Sequence, residues 1–149
     1  MLCLNVNSDH GIVVSAAKDG VILVNSLHTA SHCTAINLGF QVDKVLWRNS
    51  DATLILCVLT GTSTVYTYTL NGKFIAKKEF QGTNDVSLFG PNTDFCLATD
   101  KGLVIYNQLL SDPVQHVVFE EPVMRISQVA NSKHLVCILK DTAVLVGFY

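Results

Sequence analysis

Two histidines four residues apart, His28 and His32, followed directly by Cys33, are the side chains here whose types and spacing come nearest to a metal-binding set. Imidazoles at that spacing share a face only on a helix. These fall in a loop between β-prone runs, and no further ligand pair with suitable spacing exists. His10, His116 and His134 stand alone. The five cysteines (Cys3, Cys33, Cys57, Cys96, Cys137) are odd in number, widely spaced and lack a Cys-x-x-Cys pair. That pattern argues against a disulfide framework or a zinc knuckle. Cys57, Cys96 and Cys137 lie inside apolar runs, where a reduced thiol behaves as a small buried hydrophobe.

Nucleophilic catalysis has no local signature. No Gly-x-Ser-x-Gly elbow occurs, although a Ser-His-Asp or Cys-His set can assemble from distant positions. There is no Gly-x-x-x-x-Gly-Lys loop to cradle a phosphate, and Gly61, Gly72, Gly82 and Gly90 read as turn glycines. Asp19 and Asp141, in the first and fourth copies of the tight turn, are read as bonding their own backbone, with Asp100 one place earlier in the third copy and Thr62 in the slot of the second. Trp47, Tyr66 and Tyr68 are either interface anchors or packing residues on strands. No catalytic, cofactor-binding or metal-binding residue is expected.

The elements that carry these residues repeat. Apolar runs ending in a turn start at residues 12, 54, 95 and 135, about 40 apart. They are 12–17 before Lys18-Asp19-Gly20, 54–60 before Gly61-Thr62-Ser63, 95–99 before Asp100-Lys101-Gly102, and 135–139 before Lys140-Asp141-Thr142. A second run follows each turn (21–26, 64–69, 103–106, 143–148), and a β-prone run precedes each marker (2–6, 44–48, 86–89, 124–128). Those preceding runs end in the polar turns 7–11, 49–51, 90–94 and 131–133. Three units add a fourth run, at 33–38, 74–80 and 114–119. Between 65–70 and 74–76, Asn71-Gly72 predicts a type I′ hairpin turn with two positive φ angles.

No helical period is sustained, so the chain reads as all-β. Four antiparallel strands per unit of about 40 residues match a propeller blade. The expected fold is a partial β-propeller of WD-repeat type over residues 1–149. Its blades run approximately over 1–40, 41–82, 83–121 and 122–149, the last without an outer strand. Because blades pack face to face, the marker strands should be apolar on both sides.

Composition bounds the rest. A net charge of −2, 49% hydrophobic and 15% charged residues describe a well-buried globular chain without the basic footprint of a nucleic-acid binder. The longest apolar run, 54–59, is far below the roughly 18–20 residues of a membrane-spanning helix. Residues 1–5 lack the basic and apolar regions of a signal peptide, which gives a cytoplasmic expectation. Three full blades and a partial one are fewer than a closed propeller needs. The chain is therefore expected to be the C-terminal piece of a longer propeller, or a truncated product, prone to self-association.

Residues 4–20 (LNVNSDHGIVVSAAKDG) resemble the blade near the C-terminus of BEACH-domain, neurobeachin-like proteins, and 69–76 (TLNGKFIA) resemble the hairpin of their next blade, in the same order and spacing. The chain lacks the Gly-His and Trp-Asp dipeptides of WD repeats and has Ala16-Ala17 where that family places small glycines. The resemblance implies a cytoplasmic scaffold in vesicle and membrane trafficking. Its partners would be proteins, including missing upstream blades and a BEACH domain, with peripheral association on endomembranes through them, no nucleic acid and no cofactor. The alternatives are a WD-repeat-like subunit of another coat, tethering or regulatory complex, and a propeller-based enzyme. The enzyme would need charged groups converging on a central channel. The inner strands offer few: Lys44, Arg48 and Arg125, with the glutamates confined to Glu79, Glu120 and Glu121.

Overall fold

The computed structural model describes residues 3–50, 53–60, 64–89, 94–107, 112–129 and 132–148, with backbone alone for 48–50 and 53–60. Its strands are β1 (Cys3–Asn7), β2 (Ile12–Ala16), β3 (Val21–Ser26), β4 (His32–Asn37), β5 (Lys44–Ser50), β6 (Thr53–Thr60), β7 (Thr64–Thr69) and β8 (Phe74–Glu79). The second half adds β9 (Thr83–Phe89), β10 (Asp94–Thr99), β11 (Gly102–Tyr106), β12 (Pro113–Val118), β13 (Arg125–Gln128), β14 (His134–Ile138) and β15 (Ala143–Gly147). They form three four-stranded sheets, β1 to β4, β5 to β8 and β9 to β12, and a three-stranded sheet, β13 to β15. Every pairing is an antiparallel neighbour in sequence, so each sheet is a meander that local turns alone can build. No helix occurs among the described residues, and thus none long and apolar enough to cross a membrane.

The chain divides into two compact units, Met1–Glu79 and Phe80–Tyr149. In the first, Ile12, Val14 and Ala16 of β2, Ile22 and Val24 of β3 and Ile36 of β4 pack against Val42, Val45, Trp47 and Tyr68. In the second, Cys96, Ala98, Leu103 and Ile105 meet Val123, Ile126, Leu135, Cys137 and Leu139. Each core is one sheet face laid on the next sheet, because a β-strand offers one row of side chains to each side. A fully buried Val or Leu in such a layer contributes about 1.5–3 kcal/mol.

Polar groups on the first strands tie the sheets of each unit together. Asn5 Nδ2 donates to the Val45 carbonyl at 2.9 Å, and Asn84 Nδ2 donates to the Val123 carbonyl at 3.1 Å. The buried Asp85 carboxylate accepts the Ile126 N–H at 3.0 Å and the Val86 N–H at 2.8 Å. Backbone groups at a sheet-to-sheet crossing cannot reach water, so a side chain from the neighbouring strand must satisfy them.

Some expectations are corrected. Asn71 does not share the positive φ of Gly72 (+85°), so the hairpin turn is not type I′. The Gly72 N–H bonds the Thr69 carbonyl at 3.0 Å and the Thr69 N–H bonds the Lys73 carbonyl at 2.8 Å. That is the three-residue pattern of a type I turn closed by a left-handed glycine, which absorbs the strand twist with one special residue instead of two. The β2–β3 connection repeats it, with Gly20 N–H on the Ala17 carbonyl at 3.1 Å and Ala17 N–H on the Val21 carbonyl at 2.9 Å. Strand β2 is not covered on both faces. Ile12, Val14 and Ala16 are buried, whereas Val13 and Ser15 are half-exposed, since a second sheet covers one side only. Strand β10 does bury both rows across residues 95–98. Asn49 and Ser50 belong to β5 rather than to a turn, and Thr83 to Asp85 already belong to β9. The turn residues Asp51, Gly61, Thr62 and Gly90 lie outside the described residues.

Candidate functional site

The residues singled out for chemistry are placed apart by the strands that hold them. His28 sits in the β3–β4 turn with its ring against Gly11. His32 and Cys33 open β4 instead of lying in the loop, and successive strand residues face opposite ways. All three are exposed. Among the described residues no group of three His, Cys, Asp or Glu side chains gathers as a metal site. Cys3, Cys33, Cys96 and Cys137 are free thiols. Burial pushes the Cys96 thiol well above its ordinary value of 9.0, with neighbouring Cys137 and Asp85 adding to the shift, and burial raises Cys137 as well. Thiols held protonated in this way are poor nucleophiles and poor ligands at neutral pH.

The turn aspartates divide. The Asp19 carboxylate accepts the Val21 N–H at 3.1 Å, an Asx-type bond that orders the β2–β3 turn. Asp100 instead takes the Asn84 amide at 2.9 Å, and its own turn is held by Thr99, whose hydroxyl accepts the Lys101 N–H at 3.2 Å and donates to the Gly102 carbonyl at 3.0 Å. Arg125 reaches the Asn84 carbonyl at 3.5 Å. Glu79 ends the outer strand β8, paired with Lys77 at 2.7 Å. That hydrogen bond holds the Glu79 carboxyl below its ordinary value and the Lys77 ammonium above its own. Glu120 and Glu121 are exposed in the β12–β13 connection. None of these pairs is a carboxylate aimed at a cavity beside a base.

What the first unit does assemble is an aromatic ladder. Tyr66 and Tyr68 share one face of β7, two residues apart, with ring centroids 6.5 Å apart. Phe74, opposite Tyr68 in the β7–β8 register, packs edge-on at 5.7 Å, and Phe40 from the β4–β5 connection meets Tyr66 at 5.1 Å. The Lys77 ammonium stands 5.7 Å from the Tyr66 ring. Tyr68 is buried in the core, and burial raises its hydroxyl above the ordinary 10.0. Phe40 and Phe74 remain 37% and 52% exposed. The inner rungs thus anchor the ladder and its ends face water, a form suited to packing a partner's side chains. Trp47 is buried, with no hydrogen-bond partner for Nε1 among the described residues, and serves the core rather than an exposed surface. Tyr66 and Tyr68 were visible as an alternating aromatic pair. Phe74 follows from strand register, and Phe40 has no periodic signal at all.

No protein-family model matches the chain, and no curated protein matches it. Among solved structures, 526 chains match, a breadth that marks a recurrent fold rather than a shared function. A crystal structure of BBS1N in complex with ARL6DN, soaked with mercury, is 11% identical with a TM-score of 0.77, covering 97% of this chain and 50% of that one. The lead-soaked crystal of the same complex gives 11%, 0.77, 98% and 49%. The chain therefore spans about half the length of the structures it matches. Four antiparallel meander sheets together with this likeness establish the fold as a partial β-propeller whose last blade lacks its outer strand.

Proposed function

We propose that the chain is a protein-interaction module, part of a propeller in a BEACH-type scaffold of vesicle and membrane trafficking. The observation that carries the interaction reading is the likeness, over 97% of the chain, to a propeller crystallised with a protein partner. The ladder's exposed ends, Phe40 and Phe74, anchored by Tyr66 and the buried Tyr68, supply a surface of the right chemistry. The BEACH-type part rests on residues 4–20 and 69–76, which fall on the β1–β2 and β7–β8 hairpins. A non-enzymatic role is consistent with the scattered carboxylates and protonated thiols.

A second reading, a WD-repeat-like subunit of another coat, tethering or regulatory complex, draws on the same likeness, because the description of that complex names no BEACH domain. The coding sequence immediately upstream separates the two. A BEACH domain there supports the first reading, and any other domain sinks it. For the interaction itself, a tagged chain should capture a defined partner that Phe40→Ser with Phe74→Ser no longer holds. Capture that ignores both substitutions would move the binding surface elsewhere.

A further inference from the structure

Two sheet faces expose apolar rows at positions that are sealed elsewhere in this same chain. The strand registers put Cys3, Asp85 and Arg125 on one equivalent rung, opposite Ala16, Ala98 and Ile138. Asn5, Ser87 and Ser127 stand two residues further on, opposite Val14, Cys96 and Val136. On those rungs Ala16, Ala98, Val14 and Cys96 are no more than 1% exposed, because the next sheet covers them. In the sheet of β13 to β15, Ile138 on the same rung is 48% exposed, and Leu145, equivalent to Val24 (0%) and Ile105 (3%), is 62% exposed. The opposite side of the interface is open on β1. Val45 and Ile126, whose backbones receive the Asn5 and Asp85 bonds, are each 3% exposed, whereas Leu4 at the equivalent place is 53% exposed, with Val6 at 50%.

We propose that these two faces are the two halves of one interface, and that a second copy of this chain occupies them head to tail, the β13–β15 face of one copy lying on the β1 face of the other. The chain already makes this interface once inside each compact unit, from the same two kinds of face. Neither row is guarded as solvent faces of sheets usually are. Leu4, Val6, Val13 and Leu23 form one without a charge, and the other carries only Arg125, which turns back to Asn84. A polar tie is also in place. Ser127 occupies the rung from which Asn5 donates to the Val45 carbonyl, so its hydroxyl would meet the Leu4 carbonyl of the second copy. The BEACH-type reading gives these faces a different occupant, further blades of a longer chain, and a monomeric parent in the test below would favour it.

Sedimentation velocity on the purified 149-residue chain tests it, alone and with two variants at exposed positions, Leu4→Lys and Leu145→Lys, whose circular dichroism should stay that of the parent. The parent should sediment at twice its 16.2 kDa or more. Each variant alone should weaken association at least about thirtyfold, the loss of one buried apolar anchor. An equimolar mixture of the two should re-form a dimer, since one intact head then meets one intact tail. A monomeric parent would overturn the proposal. So would a Leu145→Lys chain that still pairs, because like faces would then be meeting, or aggregates indifferent to both substitutions.

Discussion

Gly20 and Gly39 both hold a left-handed backbone, with φ of +86° and +71°, yet the space around them differs. A Cβ on Gly20 would collide with the Phe40 carbonyl oxygen and amide nitrogen, while one on Gly39 would meet nothing within 4 Å. Gly39→Ala should cost only the strain of the conformation, about 1 kcal/mol. Gly20→Ala adds the displacement of the connection to β5, another 1–3 kcal/mol or so by analogy with overpacked cores. Urea midpoints of the two variants measure the gap, and equal losses would mean that the connection yields freely. Cys96 supplies a pH test. Its thiol stays protonated in the fold but ionises above its ordinary value of 9.0 once unfolded. A raised folded value means that stability is whole below pH 9 and declines as pH rises past it, by about 1.4 kcal/mol per pH unit. Cys96→Ala should start less stable from lost packing and decline less steeply between pH 8.5 and 10.5. Parallel curves for the two chains would refute the assignment. At this scale the Asx bond of Asp19 was legible in the sequence because it is local. The role of Asp85 was not, since its acceptor duty lies 41 residues away.

Among elements, the tie between β9 and β13 is open to direct measurement. Asp85→Ala strips the Ile126 N–H of its acceptor in a buried setting and should cost about 1–3 kcal/mol. Asp85→Asn keeps an acceptor oxygen and should lose less. Amide exchange at Ile126 should accelerate in the alanine variant well beyond that of its neighbours, and unchanged protection there would show that the bond is dispensable. The meander itself was readable because middle strands such as β2 and β10 are apolar runs closed by turns, recurring about every 40 residues. The strand ends were not. Thr83, Asn84 and Asp85 look like a loop by composition, but they are strand residues whose polar side chains serve the next sheet. The Asn71-Gly72 pair signalled a hairpin correctly and its turn type incorrectly, since one left-handed glycine after a type I turn suffices. The aromatic ladder was half visible for the same kind of reason. Alternation reveals Tyr66 and Tyr68, whereas Phe40 joins them through a connection that carries no period.

For the whole molecule, the apolar rows on β1 and on β13 to β15 bind stability to concentration if a second copy covers them. Only the folded chain can present these faces, so association draws on the folded state and raises its apparent stability by mass action. For a dimer, each tenfold rise in concentration adds about 0.7 kcal/mol per chain, half of the usual 1.4 kcal/mol. A chain of 149 residues converts this to a rise in Tm of about 2 °C. Calorimetry across a hundredfold concentration range should therefore show the parent midpoint climbing by about 4 °C while that of Leu145→Lys stays level. The comparison separates association from folding, because Leu145 is largely in water and contributes little to its own sheet. A level midpoint for the parent as well would mean that both rows stay wet at these concentrations. Leu4, Ile138 and Leu145 would then take the kind of cover that Val45 and Ala98 receive from the neighbouring sheet of their own unit from something other than a second copy.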